Sequence, residues 1–185
     1  MNLLSLLESK AYDEANQIID HLPSQLMQHA DFLYLAGETK RAFAQLDQAE
    51  LFLTSALRFE AHSPNTYLSL ARVYRAQRAY RKAKELYEHY LQHNERPDAH
   101  HELALTLWEL GERVDATVHV TRALELEGER AEYFATRAFF FREQKLFELA
   151  TADVKRAMHL RPRLMDEYLE RAEDKEREGD VVGAE

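Results

Sequence analysis

The residues best suited to metal chemistry in this chain are its nine histidines. The stretch 100–106, HHELALT, begins like the zinc-protease motif HExxH, in which two histidines one helical turn apart bind zinc. Leu105 stands where the second histidine belongs, so the motif is incomplete. His89 and His93 share a helix face, but no carboxylate or cysteine completes a recognisable ligand pattern with them. We therefore expect no metal site.

The residues do not indicate nucleophilic, phosphate-binding or acid–base catalysis either. The chain has no cysteine, which excludes disulfides, thiol nucleophiles and thiolate zinc sites. Its five glycines are dispersed singly, so no loop resembles a phosphate-binding loop. No spacing singles out a Ser/His/Asp arrangement or an acid pair among the 33 acidic residues. We expect a protein that is not an enzyme, with no catalytic residues and no cofactor.

The charge pattern disfavours nucleic acid as a partner. The net charge is −9, and the segment 163–185 alone carries nine acids against four bases. Such a chain is a poor match for a phosphate backbone. No run of about eighteen apolar residues predicts a membrane span, and the N-terminus lacks the features of a secretory signal. A cytoplasmic location is expected, unless the chain is a fragment of a longer protein that has lost a signal or anchor.

The elements that would position any site repeat along the chain with a nearly constant period. One set of alanines is separated by steps of 34, 34, 33, 34 and 34 residues: Ala15, Ala49, Ala83, Ala116, Ala150 and Ala184. A second set of small residues lies twelve positions before members of the first: Gly37, Ala71, Ala104, Ala138 and Ala172. Small residues held in register in this way predict positions where two helices approach closely.

Between the small residues, the apolar pattern is helical. Tyr67, Leu70, Ala71 and Tyr74 fall at i, i+3, i+4 and i+7, and a second stripe of the same kind follows. Breakers separate the units at 63–64, 96–97, 128 and 161–162. Each unit is therefore predicted to be a helix–turn–helix. One such pair cannot bury its apolar face alone, so neighbouring units must stack.

These units resemble the tetratricopeptide repeat family, whose pattern is W-x2-L-G-x2-Y, then A-x3-F, then P. Residues that match or replace the pattern occur in all four units: Leu33, Ala36, Gly37 and Lys40; Tyr67, Leu70, Ala71, Tyr74, Ala83 and Tyr87; His100, Leu103, Ala104, Leu107, Gly111 and Ala116; Phe134, Arg137, Ala138, Phe141, Ala150 and Pro162. Lys40 stands where an aromatic residue is expected, and His100 where the tryptophan is expected.

The resemblance implies an all-α, right-handed α-solenoid of stacked antiparallel helix pairs. We expect a single domain over 1–185, with four full repeats at about 30–63, 64–96, 97–130 and 131–164. Partial repeats are expected at 1–22 and at 165–185. The C-terminal one is either an acidic capping helix or the point at which a longer repeat protein has been cut.

In this family, the first helix of each pair lines a concave groove, which implies a set of peptide-binding residues. Carried over to this sequence, the candidates are Tyr34, Glu38, Arg41, Arg72, Arg75, His101, Trp108, Phe139 and Arg142. Trp108 is thereby predicted to lie on the groove, with Leu107 buried beside it. Of the three phenylalanines at 139–141, Phe141 is predicted to lie in the core and Phe139 to face the groove.

The groove residues favour a non-catalytic scaffold that binds a partner peptide with acidic and apolar residues. Arginine and aromatic side chains are frequent at binding hot spots, and arginine binds carboxylates with its guanidinium fork. The same arginines could instead pair with Glu38, Glu109 or Glu143 of the chain itself. A homo-oligomeric assembly module and a small secretion chaperone are the alternatives.

One specialisation of the family is disfavoured. The family's heat-shock chaperone clamp needs Lys, Asn and Arg at set groove positions. In either of the two possible registers, those positions carry acidic residues here, among them Asp98, Glu102 and Glu132. These acids would repel the C-terminal carboxylate that the clamp binds, so a clamp function is not expected.

Overall fold

The computed structural model describes residues 29–59 and 63–162, together with Gln17, Ile19 and His21. Within residues 29–59 and 63–162 the chain forms eight α-helices and no strand. The helices are α1 (Ala30–Ala42), α2 (Leu46–Phe59), α3 (Pro64–Ala76), α4 (Tyr80–Leu91), α5 (Pro97–Glu109), α6 (Arg113–Leu126), α7 (Ala131–Glu143) and α8 (Phe147–Leu160). Two helices thus fall in each of the four stretches for which a repeat is predicted.

Two helix starts follow from local chemistry, and the turns within the helix pairs share one backbone geometry. Pro64 and Pro97 are the first residues of α3 and α5, a position that suits proline because its missing N–H would have no partner there. The two helices of every pair are joined by a turn with one residue in the left-handed region. These residues are Ala44, Arg78, Gly111 and Lys145, at φ of 54°, 60°, 83° and 62°. Their steps of 34, 33 and 34 residues repeat the period of the small residues.

The helices group into two compact units. Unit 1 comprises Met1–Glu95 with Leu105–Gly111, and unit 2 comprises Arg96–Ala104 with Glu112–Glu185. Within unit 1, α1 packs on α2, α2 on α3 and α3 on α4, and α1 also contacts α3. Within unit 2, α7 packs on both α6 and α8. The expectation of one domain over the whole chain stays a prediction.

The core of unit 1 forms where α1, α2 and α3 meet. Ala49, Leu53, Leu70 and Val73 are buried together, with Tyr34, Leu46, Leu57, Tyr74 and Leu86 packed against them. Gly37 of α1 faces this core so closely that a Cβ at this position would lie 2.5 Å from Cγ of Leu53. Ala71 and Ala83 are also fully buried. The small residues therefore mark close helix contacts, as predicted.

The core of unit 2 corrects one expectation from the sequence. Ala131, Ala135 and Ala157 are buried together against Phe134 and Leu160. Of the three consecutive phenylalanines, Phe140 is the one that is fully buried, whereas Phe141 is only partly buried. The prediction that Phe141 is the core residue is therefore wrong. Phe139 is exposed, and the expectation that it faces the groove stays a prediction.

Arg137 accounts for the position of Phe141. This arginine replaces the leucine of the repeat pattern, and its guanidinium carbon lies 5.8 Å from the ring centroid of Phe134 and 5.7 Å from that of Phe141. It donates to both carboxylate oxygens of Asp153 on α8, at 2.7 and 2.9 Å, and to Oγ1 of Thr121 on α6 at 3.3 Å. Phe141 thus stacks on a cation at the edge of the core, while Phe140 fills the interior.

None of the described helices is sufficiently long and apolar to cross a membrane. Within the same residues, no group of three or more His, Cys, Asp or Glu side chains is arranged to hold a metal ion. The partial repeats expected at 1–22 and 165–185 lie outside the described residues, apart from Gln17, Ile19 and His21.

The Arg137–Asp153 pair gives a stability prediction. Asp153→Asn removes the charge that compensates a partly buried guanidinium, so we expect a loss of about 3 kcal/mol in the free energy of unfolding. The matched control is Glu125→Gln, because Glu125 pairs with Arg122 at 2.9 Å on an exposed helix face. There we expect a loss below about 1 kcal/mol. Urea unfolding followed by helical circular dichroism measures both, and equal losses would contradict the prediction.

Candidate functional site

In unit 1, the predicted groove residues of α1 and α3 form a charged cluster. Nε and Nη2 of Arg41 donate to the two carboxylate oxygens of Glu38, at 2.9 and 2.8 Å. Ser69 of α3 also donates to this carboxylate, and the charge of Arg72 acts on it. Glu38, Arg41 and Arg72 are therefore brought together, and the arginines are partly compensated by an acid of the same chain.

The electrostatic balance at Glu38 can be read from its pKa. Burial acts to raise the pKa of this carboxyl, but the hydrogen bonds and charge of Arg41 act against it, with help from Ser69 and Arg72. The net result is a pKa below the ordinary value. Glu38 is thus ionised and holds its neighbouring arginines in place, which is a structural role within the predicted groove.

Arg75 differs from the other arginines of unit 1. It lies one helical turn beyond Arg72 on α3 and is partly buried. Its Nε is buried, and within the part of the chain that the structure describes it has no hydrogen-bond partner. No acid among the described residues forms an ion pair with Arg75.

Tyr34 and Trp108 are less open than the sequence analysis suggested. Tyr34 is partly buried and packs against the core of unit 1. Trp108, in the Leu105–Gly111 part of unit 1, is buried with only 9% of its surface exposed. The expected neighbour Leu107 is buried as well. The structure thus gives Trp108 the environment of a packed residue, and its contact with a ligand stays a prediction.

In unit 2, the predicted residues form two separate groups. Phe139 and Arg142 lie together on α7, with the guanidinium carbon 5.3 Å from the ring centroid, and Arg142 also pairs with Glu143 at 3.0 Å. His101 of α5 hydrogen-bonds through Nε2 to Oγ1 of Thr136 at 2.8 Å. Its ring lies 4.8 Å from that of Tyr133, whose pKa is raised to about 12 by burial.

Comparison with solved structures identifies the architecture. The chain is similar to MamA, with a TM-score of 0.79 at 14% identity over 90% of this chain and 98% of that one. The same protein from Desulfovibrio magneticus RS-1, from residue 41 to its end, gives a TM-score of 0.80 at 14% identity over 88% and 92%. YrrB, a TPR protein with an unusual peptide-binding site, gives 0.74 at 18% identity over 88% and 84%.

The chain has the tetratricopeptide-repeat fold. No family model matches its sequence, and no curated protein matches it either. The tetratricopeptide-repeat units of this chain depart from the family pattern at deeply packed positions. Lys40 is buried where an aromatic residue is usual, His100 is buried where tryptophan is usual, and Arg137 replaces a leucine.

Unit 2 also has a surface that the sequence did not predict. A pocket in unit 2 is formed by residues of α6, by the end of α7 and by the turn that follows. None of the nine predicted groove residues lines it. The signal that could have found it is the pair Val114 and Val118, which lie at i and i+4 on α6 outside the core stripe of Ala116 and Val120.

The burial of Trp108 leads to a spectroscopic prediction. Because Trp108 is the sole tryptophan, its fluorescence reports on one site. We expect emission at shorter wavelength than in the urea-unfolded chain, and weak quenching by acrylamide and iodide, since little of the ring reaches solvent. Equal quenching constants for the native and the unfolded chain would show that the ring is open to solvent, as an exposed groove residue would be.

A further prediction concerns Glu38 and pH. Because the pKa of Glu38 is lowered in the folded chain, its ionised form stabilises the fold above the ordinary value of 4.5. This contribution is lost as the pH falls through the lower value of the folded state. The stability difference between wild type and Glu38→Gln, measured by urea unfolding, should therefore be largest near neutral pH and shrink below pH 4.5. In an Arg41→Gln background the difference near neutral pH should be smaller.

Proposed function

We propose that this protein is a non-catalytic scaffold that binds a partner segment with acidic and apolar residues at the α1–α3 face of unit 1. The observation that carries the proposal is the state of Arg75. Within the described residues no acid pairs with this guanidinium, and its Nε is closed to solvent. A ligand carboxylate would therefore accept from the terminal Nη groups of Arg75 and compensate a charge that the chain itself leaves uncompensated.

The neighbouring residues define the partner further. Arg72 lies one turn before Arg75, so a second acidic residue of the ligand has a cation within reach. Glu38 already compensates Arg41 and acts on Arg72, which keeps the face from being uniformly basic. Tyr34 is partly exposed beside the core of unit 1 and offers an aromatic surface to an apolar residue. A segment that alternates acidic and apolar residues fits this combination.

The fold similarity is compatible with such a role. YrrB, which shares this fold at 18% identity, is a TPR protein with an unusual peptide-binding site. A shared fold does not identify a ligand, so the chemistry of the partner rests on the arginines and not on the comparison.

Arg75→Gln is the decisive substitution. It removes the charge while keeping hydrogen-bonding capacity, and it leaves Arg72 in place beside Glu38. With a fluorescein-labelled library of peptides that combine Asp or Glu with Leu or Phe, we expect anisotropy titrations to show binding that weakens about tenfold or more in the variant. The same peptides with Lys in place of the acidic residues should not bind, and binding should weaken with added salt.

The matched control is Arg81→Gln, which removes an exposed arginine of α4 in the same unit and leaves the α1–α3 face unchanged. Its affinity for the acidic peptides should equal that of the wild type. Failure of every acidic peptide to bind, or an equal loss in both variants, would mean that the α1–α3 face is not a carboxylate-binding site.

A further inference from the structure

Unit 2 carries a pocket of about 580 Å³ that none of the predicted groove residues lines. Its walls come from α6, α7 and the turn before α8: Val114, Thr117, Val118, His119, Thr121, Arg122, Glu125, Phe141, Gln144 and Leu146, with His100 of α5. The volume falls within the range of pockets that bury a drug-sized ligand. The question is which chemistry would fill it.

The mouth of the pocket is apolar and unusually exposed. Val114 is 72% exposed, Val118 59% and Leu146 44%, although all three are aliphatic. Val114 and Val118 are one helical turn apart on α6, so they lie on the same helix face, and Leu146 lines the same pocket. Single exposed apolar residues are ordinary, but a clustered group around a pocket is typical of an interaction site.

The polar residues of the pocket have a fixed arrangement. Nε2 of Gln144 donates to Oγ1 of Thr117 at 3.0 Å and to the carbonyl oxygen of Phe140 at 3.1 Å. The hydroxyl of Thr117 in turn donates to the carbonyl oxygen of Arg113 at 3.0 Å. Since both N–H groups of the Gln144 amide are engaged, its Oε1 is the atom left to accept from a ligand. No described residue donates to that oxygen.

The remaining polar groups limit the charge a ligand can bring. Arg122 and Glu125 are joined to each other at 2.9 Å, so neither offers an uncompensated charge. Nδ1 of His100 and Nδ1 of His119 lie 3.0 Å apart, which requires one ring to donate and the other to accept. A pocket with apolar walls, a paired charge and an amide acceptor favours a neutral group that carries a hydrogen-bond donor.

We propose that this pocket binds a tyrosine or tryptophan side chain presented by a segment of a partner protein. The ring packs against Val114, Val118 and Phe141, and the phenol O–H or indole N–H donates to Oε1 of Gln144. Aromatic residues with a polar end are the side chains that most often anchor interfaces, because they combine large apolar area with one directed hydrogen bond.

The surroundings identify a protein segment as the source of this side chain. A small molecule held inside the pocket would leave the mouth residues in water, whereas a polypeptide continues past the anchor and covers them. A second copy of the chain is a poor donor of the anchor. Its exposed aromatic residues among those described are Phe59, Phe139 and Phe147, which lack a polar hydrogen, and every described tyrosine and tryptophan is buried or partly buried.

The test begins with selection of a displayed library of random peptides on the full chain. We expect the enriched peptides to contain Tyr or Trp, and to bind Val118→Asp at least about tenfold more weakly than wild type. Val118 is exposed, so the charge enters the pocket mouth without disturbing the core. Leu51→Asp, which places the same charge on an exposed leucine of unit 1, should bind like wild type.

The hydrogen bond is tested separately with a double-mutant cycle. Replacing the peptide's Tyr by Phe should weaken binding about tenfold on wild type and have no effect on Gln144→Leu. The Arg75→Gln variant should bind these peptides unchanged, which separates this pocket from the α1–α3 face of unit 1.

Three results would overturn the proposal. Enriched peptides without Tyr or Trp would show that an aromatic side chain is not the anchor. Equal affinity of the peptides for Val118→Asp and wild type would show that they do not bind at this pocket. Sedimentation equilibrium gives the third: a wild-type chain that self-associates while Val118→Asp stays monomeric would assign the surface to a second copy instead of a partner protein.

Discussion

The described helices depend on one packing constraint, the close approach of neighbouring helices at small residues. At Gly37 even one added carbon would lie 2.5 Å from Leu53, and Ala49, Ala71, Ala83, Ala104, Ala116 and Ala138 are likewise buried. Larger side chains at these positions would move the helix axes apart. Because this contact recurs at nearly every thirty-fourth residue, each helix pair presents the same faces, and the position of a residue in the repeat decides whether it packs or meets solvent.

The same constraint explains why the sequence predicted the fold better than the details of the core. Small residues in register can be recognised in the sequence alone, and they predict the four helix pairs. The sequence pattern does not show which neighbouring large side chain fills the interior: it predicts Phe141, whereas Phe140 is the buried residue. The choice depends on Arg137, which needs Asp153 and two aromatic rings around it. The spacing of apolar residues does not show which carboxylate and which aromatic rings such a cation contacts.

Turn geometry shows tertiary packing overriding local preference. Four turn residues adopt the left-handed conformation, and only Gly111 is of the residue type best suited to it. The other three are Ala44, Arg78 and Lys145. For an L-residue this conformation costs about 1–2 kcal/mol. In the pairs α1–α2, α3–α4 and α7–α8 the cost is offset because the turn brings the two helices into contact. Gly111 is the only glycine among these four turn residues, so the other three turns could be inferred only from the period.

The candidate site was the least predictable feature, because one sequence shows charges and not their partners. Arg41, Arg72, Arg75 and Arg142 were equivalent as groove arginines. In the folded chain, Arg41 is held by Glu38 and Arg142 by Glu143, whereas Arg75 has a buried Nε that no described residue satisfies. An arginine already bound by its own chain must lose that partner before it binds a ligand, and an uncompensated one gains on binding. For the proposed recognition by this face, the guanidinium that the fold leaves without a carboxylate therefore matters more than the number of arginines that point the same way.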